Sequence, residues 1–248
     1  MQVSQFEIHR LVQRTLEALG AGYGADRDGA RAVAWLEAHG LPGLAALAAN
    51  LPELERGIKP PKLESAAAGN AAIDAAGLSA IAFGGAAFDL LLTRAPASGK
   101  GQANLHLRRC RSPLFLIPAA LEAGPGSAFG LAWRTHLGEV MALVEADAVV
   151  RLFIRPGGDL PTLLLQPAAV DVDIQLAPTA RGLSPVPEGM IAVVDRESLA
   201  RQFARALDHG IAVDPALWRR IDAVAARVQV PASEESRRKG AGGGDANA

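Results

Sequence analysis

The spacing of apolar residues changes twice along the chain, and this change constrains the fold more than any single motif. Apolar side chains recur at helical spacing near the N-terminus, alternate with polar ones in the middle, and return to helical spacing near the C-terminus. At the start, Ser4 and Glu7 are spaced as a capping box, in which each side chain accepts a backbone N–H at the beginning of a helix. This order favours an α+β fold over a doubly wound sheet. We expect an N-terminal helical bundle, a central mixed or antiparallel sheet with helices, and C-terminal helices.

Turn signals divide the chain into four parts. We expect a helical segment at 1–56, a β-rich region at 71–185, a second helical segment at 190–231, and a tail at 232–248 that is flexible or docks on a ligand or partner. The stretch 57–70 holds two adjacent prolines and reads as a linker. The predicted strands are 104–109, 128–134, 139–145, 148–154, 162–166 and 170–176.

Composition excludes several classes of protein. The formal net charge of the 248 residues is −1, whereas a dedicated nucleic-acid binder usually has a strongly basic face. No apolar run approaches the ~20 residues that span a bilayer, and the first residues lack the pattern of a signal peptide. Cys110 is the single cysteine, so neither an intramolecular disulfide nor a cysteine-based zinc cluster can form. We expect a cytoplasmic bacterial protein that binds neither nucleic acid nor membrane.

A metal site is not expected. His106 and Cys110 are four residues apart, a spacing that could chelate a metal on a helix. The surrounding residues alternate, which predicts a strand, and on a strand the two side chains would lie ~13 Å apart. Asp171 and Asp173 likewise share one face of a predicted strand, and such carboxylates are usually solvated.

Three motifs in the first half of the chain carry a family resemblance. They are Gly57-Ile58-Lys59-Pro60, Ile73-Asp74-Ala75-Ala76-Gly77 and Leu107-Arg108-Arg109-Cys110-Arg111-Ser112-Pro113. Their order and spacing resemble the non-Rossmann malate/L-lactate dehydrogenase family, which includes ureidoglycolate and sulfolactate dehydrogenases. The resemblance implies NAD(P) as cofactor and a homodimer. The C-terminal Val230-Pro231-Ala232-Ser233-Glu234-Glu235-Ser236-Arg237 resembles the end of a small bacterial family of unknown function that is related to those dehydrogenases.

The departures from the dehydrogenase pattern bear on function. The family's Ser-His-Gly motif supplies the proton donor or acceptor, and this chain has Ala38-His39-Gly40 near that place, reached several residues early. A second family histidine is replaced by Arg111-Ser112-Pro113. His39 and His136 are therefore the candidate catalytic residues. The alternatives are a histidine at a helix C-terminus for His39 and an exposed hairpin residue for His136.

A basic cluster is the candidate binding site. Arg108, Arg109 and Arg111, with Ser112 beside them, could hold a carboxylate or phosphate, or could pair with acidic side chains elsewhere in the chain. The tail adds further candidate ligands: Ser233, Ser236 and Arg237. Gly84-Gly85 could present backbone N–H groups to a phosphate or form a tight turn into a helix, and we favour the turn.

Three functions remain open from the sequence. The first is a diverged dehydrogenase-like protein that binds a small anionic metabolite. The second is an accessory subunit whose tail docks into a neighbouring protein. The third, an alternative from another class, is an NAD(P)H-dependent reductase of a 2-keto or imino acid.

Overall fold

The computed structural model describes residues 1–99, 101–124 and 126–228. After the short strand β1 (Gln2–Val3), three helices follow: α1 (Gln5–Ala18), α2 (Ala25–Ala38) and α3 (Gly43–Leu54). The capping box at the start of α1 is confirmed, since Ser4 Oγ accepts from the N–H of Glu7 at 3.2 Å and the Ser4 N–H donates to the Glu7 carboxylate at 2.7 Å. The apolar faces of all three helices are buried in the main hydrophobic core.

The middle of the chain forms an eight-stranded mixed sheet with three helices. Its elements in chain order are β2 (Lys62–Ala67), β3 (Asn70–Asp74), α4 (Gly84–Arg94), β4 (Ala103–Cys110), α5 (Leu116–Ala123), β5 (Ala128–Thr135), β6 (Gly138–Val144), β7 (Val150–Ile154), α6 (Leu160–Leu164), β8 (Val170–Ala177) and β9 (Ile191–Val194). The strand order is β2-β3-β4-β8-β5-β6-β7-β9. Only the pair β3–β4 is parallel among the described strands. The expected α+β class is confirmed.

Two local predictions are wrong. Part of the expected linker 57–70 is the edge strand β2, which pairs antiparallel with β3. The expected strand 162–166 lies instead in and after the helix α6, because the Asp159 carboxylate caps that helix by accepting the N–H of Thr162 at 3.1 Å. A short apolar run does not distinguish a buried strand from a buried helical turn.

The last helices of the described part pack on those at the start of the chain. These are α7 (Arg196–His209) and, after the short strand β10 (Ile211–Ala212), α8 (Pro215–Ala225). Helix α8 contacts α1 and α3, and β1 pairs with β10. The Thr15 hydroxyl on α1 donates to the carbonyl oxygen of Leu11 at 2.8 Å and lies 3.5 Å from that of Ile221 on α8. The N-terminal and C-terminal helices therefore form one packed unit.

The two faces of the sheet differ in what covers them. One face packs against α4 and α5, where Phe88 meets Phe129 edge to face at 5.2 Å between ring centroids. On the other face, the connection between β8 and β9 covers a smaller apolar cluster that includes Met141, Phe153 and Leu183. The rest of that face, on β2, β3, β4 and β8, exposes polar side chains. No helix in the described ranges is long and apolar enough to cross a membrane.

Candidate functional site

Charged side chains of alternating sign cross the exposed face of the sheet near one end. Each strand supplies one charged side chain. In the register of the sheet, this residue either pairs with the charged residue of the neighbouring strand or lies one position beyond a residue that is paired with that strand. From β2 to the end of β7 the row is Lys62, Asp74, Arg108, Asp171, Arg134, Glu139 and Arg155. Oppositely charged cross-strand neighbours stabilise the pairing of strands, so this row pins the register of the sheet.

The last residues of β4 leave regular strand geometry within this row. The pairing of β4 with β8 shifts register between Leu107 and Cys110, and Arg109 has a φ of 53°. Ser112, just after the strand, has a φ of 46°. Left-handed backbone at residues other than glycine is uncommon and indicates a locally constrained segment. Residues 108–112 are called the arginine loop below.

Arg109 is held at both its backbone and its side chain. Its N–H donates to the Asp171 carboxylate at 2.9 Å, and its guanidinium donates from Nε to Asp74 Oδ1 at 2.9 Å and also contacts Asp74 Oδ2. Hydrogen bonds from Arg109, and then from the backbone N–H of Ala76, hold the pKa of Asp74 at about 2. The carboxylate stays ionised at any physiological pH and fixes the direction of the guanidinium.

The other two arginines of the loop also have acidic partners. Arg108 donates to the Glu64 carboxylate at 2.9 Å. Arg111 lies 2.7 Å from the Glu53 carboxylate of α3 and donates to the carbonyl oxygen of Pro167 at 2.7 Å. Of the two alternatives that the sequence left open, the structure contains the pairing with acidic side chains. That the loop holds an anion stays a prediction.

Ser112 is placed in the interior. It is 3% exposed, and its hydroxyl accepts from the side-chain amide of Asn50 at 2.6 Å. The same amide donates to the carbonyl oxygen of Ala46 at 2.6 Å, so the bond ties the arginine loop to α3. Ser112 therefore positions the loop and does not face solvent as a ligand-binding hydroxyl would.

The two candidate catalytic histidines lie on different elements. His39 follows the end of α2, where its ring stacks on Trp35 at 4.1 Å and on Phe203 of α7 at 5.1 Å. Its Nδ1 is 2.7 Å from the carbonyl oxygen of Trp35, and burial lowers its pKa. His136 is exposed in the turn between β5 and β6. Stacking between two aromatic rings and partial burial both keep His39 away from bulk water.

One histidine in this region was assigned no role from the sequence. His106 lies opposite Asp173 across β4 and β8, with its Nδ1 at 2.7 Å from the Asp173 carboxylate and its Nε2 at 4.0 Å from that of Asp171. The alternation of both strands was visible in the sequence, but their pairing was not. A group of three or more residues suited to a metal ion is absent from the described residues.

The glycines at the start of α4 do not fit the phosphates of NAD(P). They border a cavity of 180 Å³ between α2, α4 and α5 whose lining includes three carboxylates, those of Asp28, Asp89 and Glu122. Arg31 pairs with Asp28 and with Glu122, the latter at 3.2 Å. Three carboxylates against one guanidinium repel a pyrophosphate. The structure therefore supports the tight turn at Gly84-Gly85.

The tail candidates Ser233, Ser236 and Arg237 lie outside the described residues. The last described residues nevertheless contact the end of α3, the helix that also holds Arg111. Arg227 pairs with Glu55 at 2.8 Å, and Glu55 follows α3 two residues after Glu53, the partner of Arg111.

Comparison with known proteins places this geometry in context. Residues 3–79 match the model of a family described as a protein of unknown function (DUF3726). No curated protein matches the chain. The fold is similar to that of a malate dehydrogenase from Pyrococcus horikoshii OT3, with a TM-score of 0.65, 13% identity, and coverage of 93% of this chain and 96% of that one.

Two further solved structures share the fold. A sulfolactate dehydrogenase from Methanocaldococcus jannaschii has a TM-score of 0.64 and 12% identity, with 92% of this chain and 97% of that chain covered. A delta1-piperideine-2-carboxylate reductase from Pseudomonas syringae pvar. tomato has a TM-score of 0.58 and 14% identity, with 90% and 99% covered. The resemblance expected from the sequence is confirmed. Part of the chain matches a family of unknown function, and its fold is that of the malate, lactate and sulfolactate dehydrogenases at low sequence identity.

Proposed function

We propose that this diverged chain of the dehydrogenase fold binds a small anionic metabolite instead of transferring hydride. The arginine loop supplies guanidinium groups from Arg108, Arg109 and Arg111, and the tail supplies Ser233, Ser236 and Arg237. The altered histidine motifs and the enclosed ring of His39 support the loss of proton transfer to a substrate.

The observation that carries the proposal is the contact between the end of the described chain and the helix that holds the arginine loop. Arg227 pairs with Glu55 and Arg111 with Glu53, two acids that are two positions apart at the end of α3. Residues 229–248 follow directly, and twenty residues can span at most roughly 70 Å. The tail therefore starts within reach of the loop.

The ion pairs leave the loop able to bind an anion. A guanidinium has five N–H donors, and Arg108 and Arg109 each direct only one or two of them at their acidic partners. Fixed guanidinium groups lose less side-chain entropy when a ligand binds.

The local charge makes the tail necessary. Three arginines face four carboxylates, those of Glu53, Glu64, Asp74 and Asp171, so the described part of the site carries a net charge of −1. The tail contributes Arg237, Arg238 and Lys239 in one run, and its acidic residues Glu234, Glu235 and Asp245 equal them in number. An anion is therefore attracted only when the basic run, and not the acidic pair before it, joins the loop.

Isothermal titration of the full chain against small carboxylates and phosphate esters tests the proposal. We expect an Arg109→Ala, Arg111→Ala double variant and an Arg237→Ala variant each to weaken binding by roughly tenfold or more. Arg134→Ala is the matched control, because Arg134 belongs to the charged row but not to the site. Unaltered binding in the double variant rejects the site.

The alternative is an NAD(P)H-dependent reductase of a 2-keto or imino acid. Its support is the fold shared with a reductase and two dehydrogenases. The stacked His39 and the acidic cavity at α4 oppose it. Quenching of tryptophan fluorescence by NAD(P)H, with consumption of the cofactor upon addition of a keto acid, would favour it.

Two further parts of the proposal concern assembly. An accessory role predicts that removal of residues after Pro231 abolishes co-purification with a neighbouring protein. We also propose that the protein is a homodimer in the bacterial cytoplasm. Sedimentation equilibrium should then give twice the mass of one chain, and the mass of a single chain would contradict the dimer.

A further inference from the structure

A cavity of 320 Å³ lies where the N-terminal helices, the C-terminal helices and α6 meet. We call it the α7 cleft. Its lining is mostly apolar and includes Leu41, Pro42, Pro161, Ala206 and Ile211. The polar and charged side chains that line it are those of Glu37, Gln202 and Arg205. Apolar walls with a few polar groups are typical of sites for small molecules, and such sites favour the junctions between segments.

Glu37 presents a carboxyl group to this cleft from the end of α2. It is half-buried, and its Oε1 accepts from the N–H of Leu44, in the first turn of α3, at 2.7 Å. Burial raises its pKa to about 6, against the opposing effect of backbone N–H groups of Leu44 and Gly43. A carboxyl that takes up a proton near neutral pH can share that proton with a second carboxylate.

Arg205 supplies a positive charge on the opposite wall. Within the described ranges it forms no ion pair, whereas Arg201, one turn earlier on α7, pairs with Glu197 at 2.8 Å. Gln202 on the same helix packs against Gly40, whose added Cβ would lie 3.1 Å from Gln202 Cγ. Gly40 has a left-handed φ of 74°, which ends α2. The cleft lies between this helix end and α7.

We propose that the α7 cleft binds a small carboxylate with an aliphatic body. The Arg205 guanidinium and the Gln202 amide hold the carboxylate, the apolar lining encloses the body, and the Glu37 carboxyl donates a hydrogen bond to the bound carboxylate. This site is separate from the arginine loop, so it goes beyond the proposed function and stands or falls independently of it.

The proposal implies that binding takes up a proton. Two ionised carboxylates side by side repel, so the complex favours protonated Glu37, and affinity rises as the pH falls from 7.5 toward 6. The other charged or titratable groups on the elements packed around the cleft include His39 on α2, Asp208 and His209 on α7, Asp159 at the start of α6 and the amino group of Met1 beside β10. The Arg201–Glu197 pair lies one turn earlier on α7. Burial lowers the pKa of His39, which favours its neutral form.

The test is calorimetric titration of the full chain with 4-methylpentanoate, with the neutral 4-methylpentanamide as the matched ligand. We expect the carboxylate to bind with proton uptake, measured by comparing two buffers of different ionisation enthalpy, and the amide to bind at least roughly tenfold more weakly. Arg205→Ala should weaken binding by roughly tenfold or more. Arg201→Ala should leave it unchanged.

Glu37→Gln separates proton sharing from simple attraction. Its amide can still accept the N–H of Leu44, so the start of α3 is retained. We expect this variant to bind without proton uptake and without the dependence on pH. No binding at millimolar concentration, equal binding of acid and amide, unchanged affinity of Arg205→Ala, or unchanged proton uptake in Glu37→Gln would each overturn the proposal.

Discussion

At the scale of single residues, two carboxyl groups have pKa values displaced in opposite directions for different reasons. Asp74 is ionised more readily because Arg109 and the backbone N–H of Ala76 donate to its charged form. Glu37 is ionised less readily because burial removes water from its charged form. Neither displacement was visible in the sequence, since Arg109 is 35 positions from Asp74 and the burial of Glu37 depends on α3 and α7.

The raised pKa of Glu37 predicts a change of stability with pH. The carboxyl titrates near 6 in the folded chain and near ~4.3 when unfolded, so the folded chain binds the extra proton between these values. The stability contribution of this group is therefore greatest below the unfolded value and is lost as the pH rises through about 6. We expect Glu37→Gln to remove this dependence and, at pH 7, to raise the free energy of unfolding by up to about 2 kcal/mol.

Urea unfolding at pH 5 and pH 7 measures this effect. Glu197→Gln is the control, because Glu197 is exposed on α7. Equal changes of stability with pH in wild type and Glu37→Gln would contradict the prediction.

The lowered pKa of Asp74 predicts the opposite dependence. Its contribution to stability is present above the unfolded pKa of ~3.9 and is lost as the pH falls through about 2. We expect Asp74→Asn to be less stable than wild type at pH 7 and the difference to shrink in acid. Thermal melting between pH 2 and pH 7 measures it, and a difference that stays constant over that range would argue against the pair with Arg109.

At the scale of elements, local chemistry was sufficient where a segment carries its own start signal. The capping box of α1, the Asp195 cap of α7 and the Asp214 cap of α8 all lie within a few residues of the groups they satisfy. Strand β2 could not be predicted in this way, because it depends on pairing with β3. Helix α6 has a local cap of the same kind at Asp159, but its short apolar run also fits a strand, and the run packs beside β6.

Close packing between α1, α2 and the segment before α4 predicts a cost for a single methyl group. A Cβ added to Gly29 would lie 2.5 Å from Leu16 Cδ1 and 2.9 Å from Ile81 Cγ1. We expect Gly29→Ala to lower the free energy of unfolding by about 1–3 kcal/mol, although alanine is the better helix former. Denaturant unfolding measures the change.

Gly84→Ala at the start of α4 is the matched control. Its added Cβ would meet Ala119 at 3.5 Å and Leu116 at 3.6 Å, which are ordinary contacts. We expect this variant to be neutral or more stable. If Gly29→Ala matched it, the close approach of α2 to α1 would be in error.

At the scale of the whole molecule, the sequence predicted the fold class and the dehydrogenase resemblance but not how the candidate site is assembled. The cluster of arginines was visible because its members adjoin. Their acidic partners come from 35 to 58 positions away, on α3, β2 and β3, and only the folded chain brings them together. The α7 cleft was missed for the same reason, because its walls come from both ends of the chain.

The central proposal also concerns the whole molecule: residues 229–248 join the arginine loop to form one anion site. A nitroxide attached at Ala241→Cys, beside the proposed ligands of the tail, tests it directly, since the native Cys110 is buried and burial raises its pKa to about 12, which disfavours the reactive thiolate. The measurement is the paramagnetic broadening of the backbone amide signals of residues 108–112, with Arg201→Cys as the control position. We predict broadening from Ala241→Cys in the presence of at least one carboxylate or phosphate ester. Sharp signals with every anion tested would contradict the account.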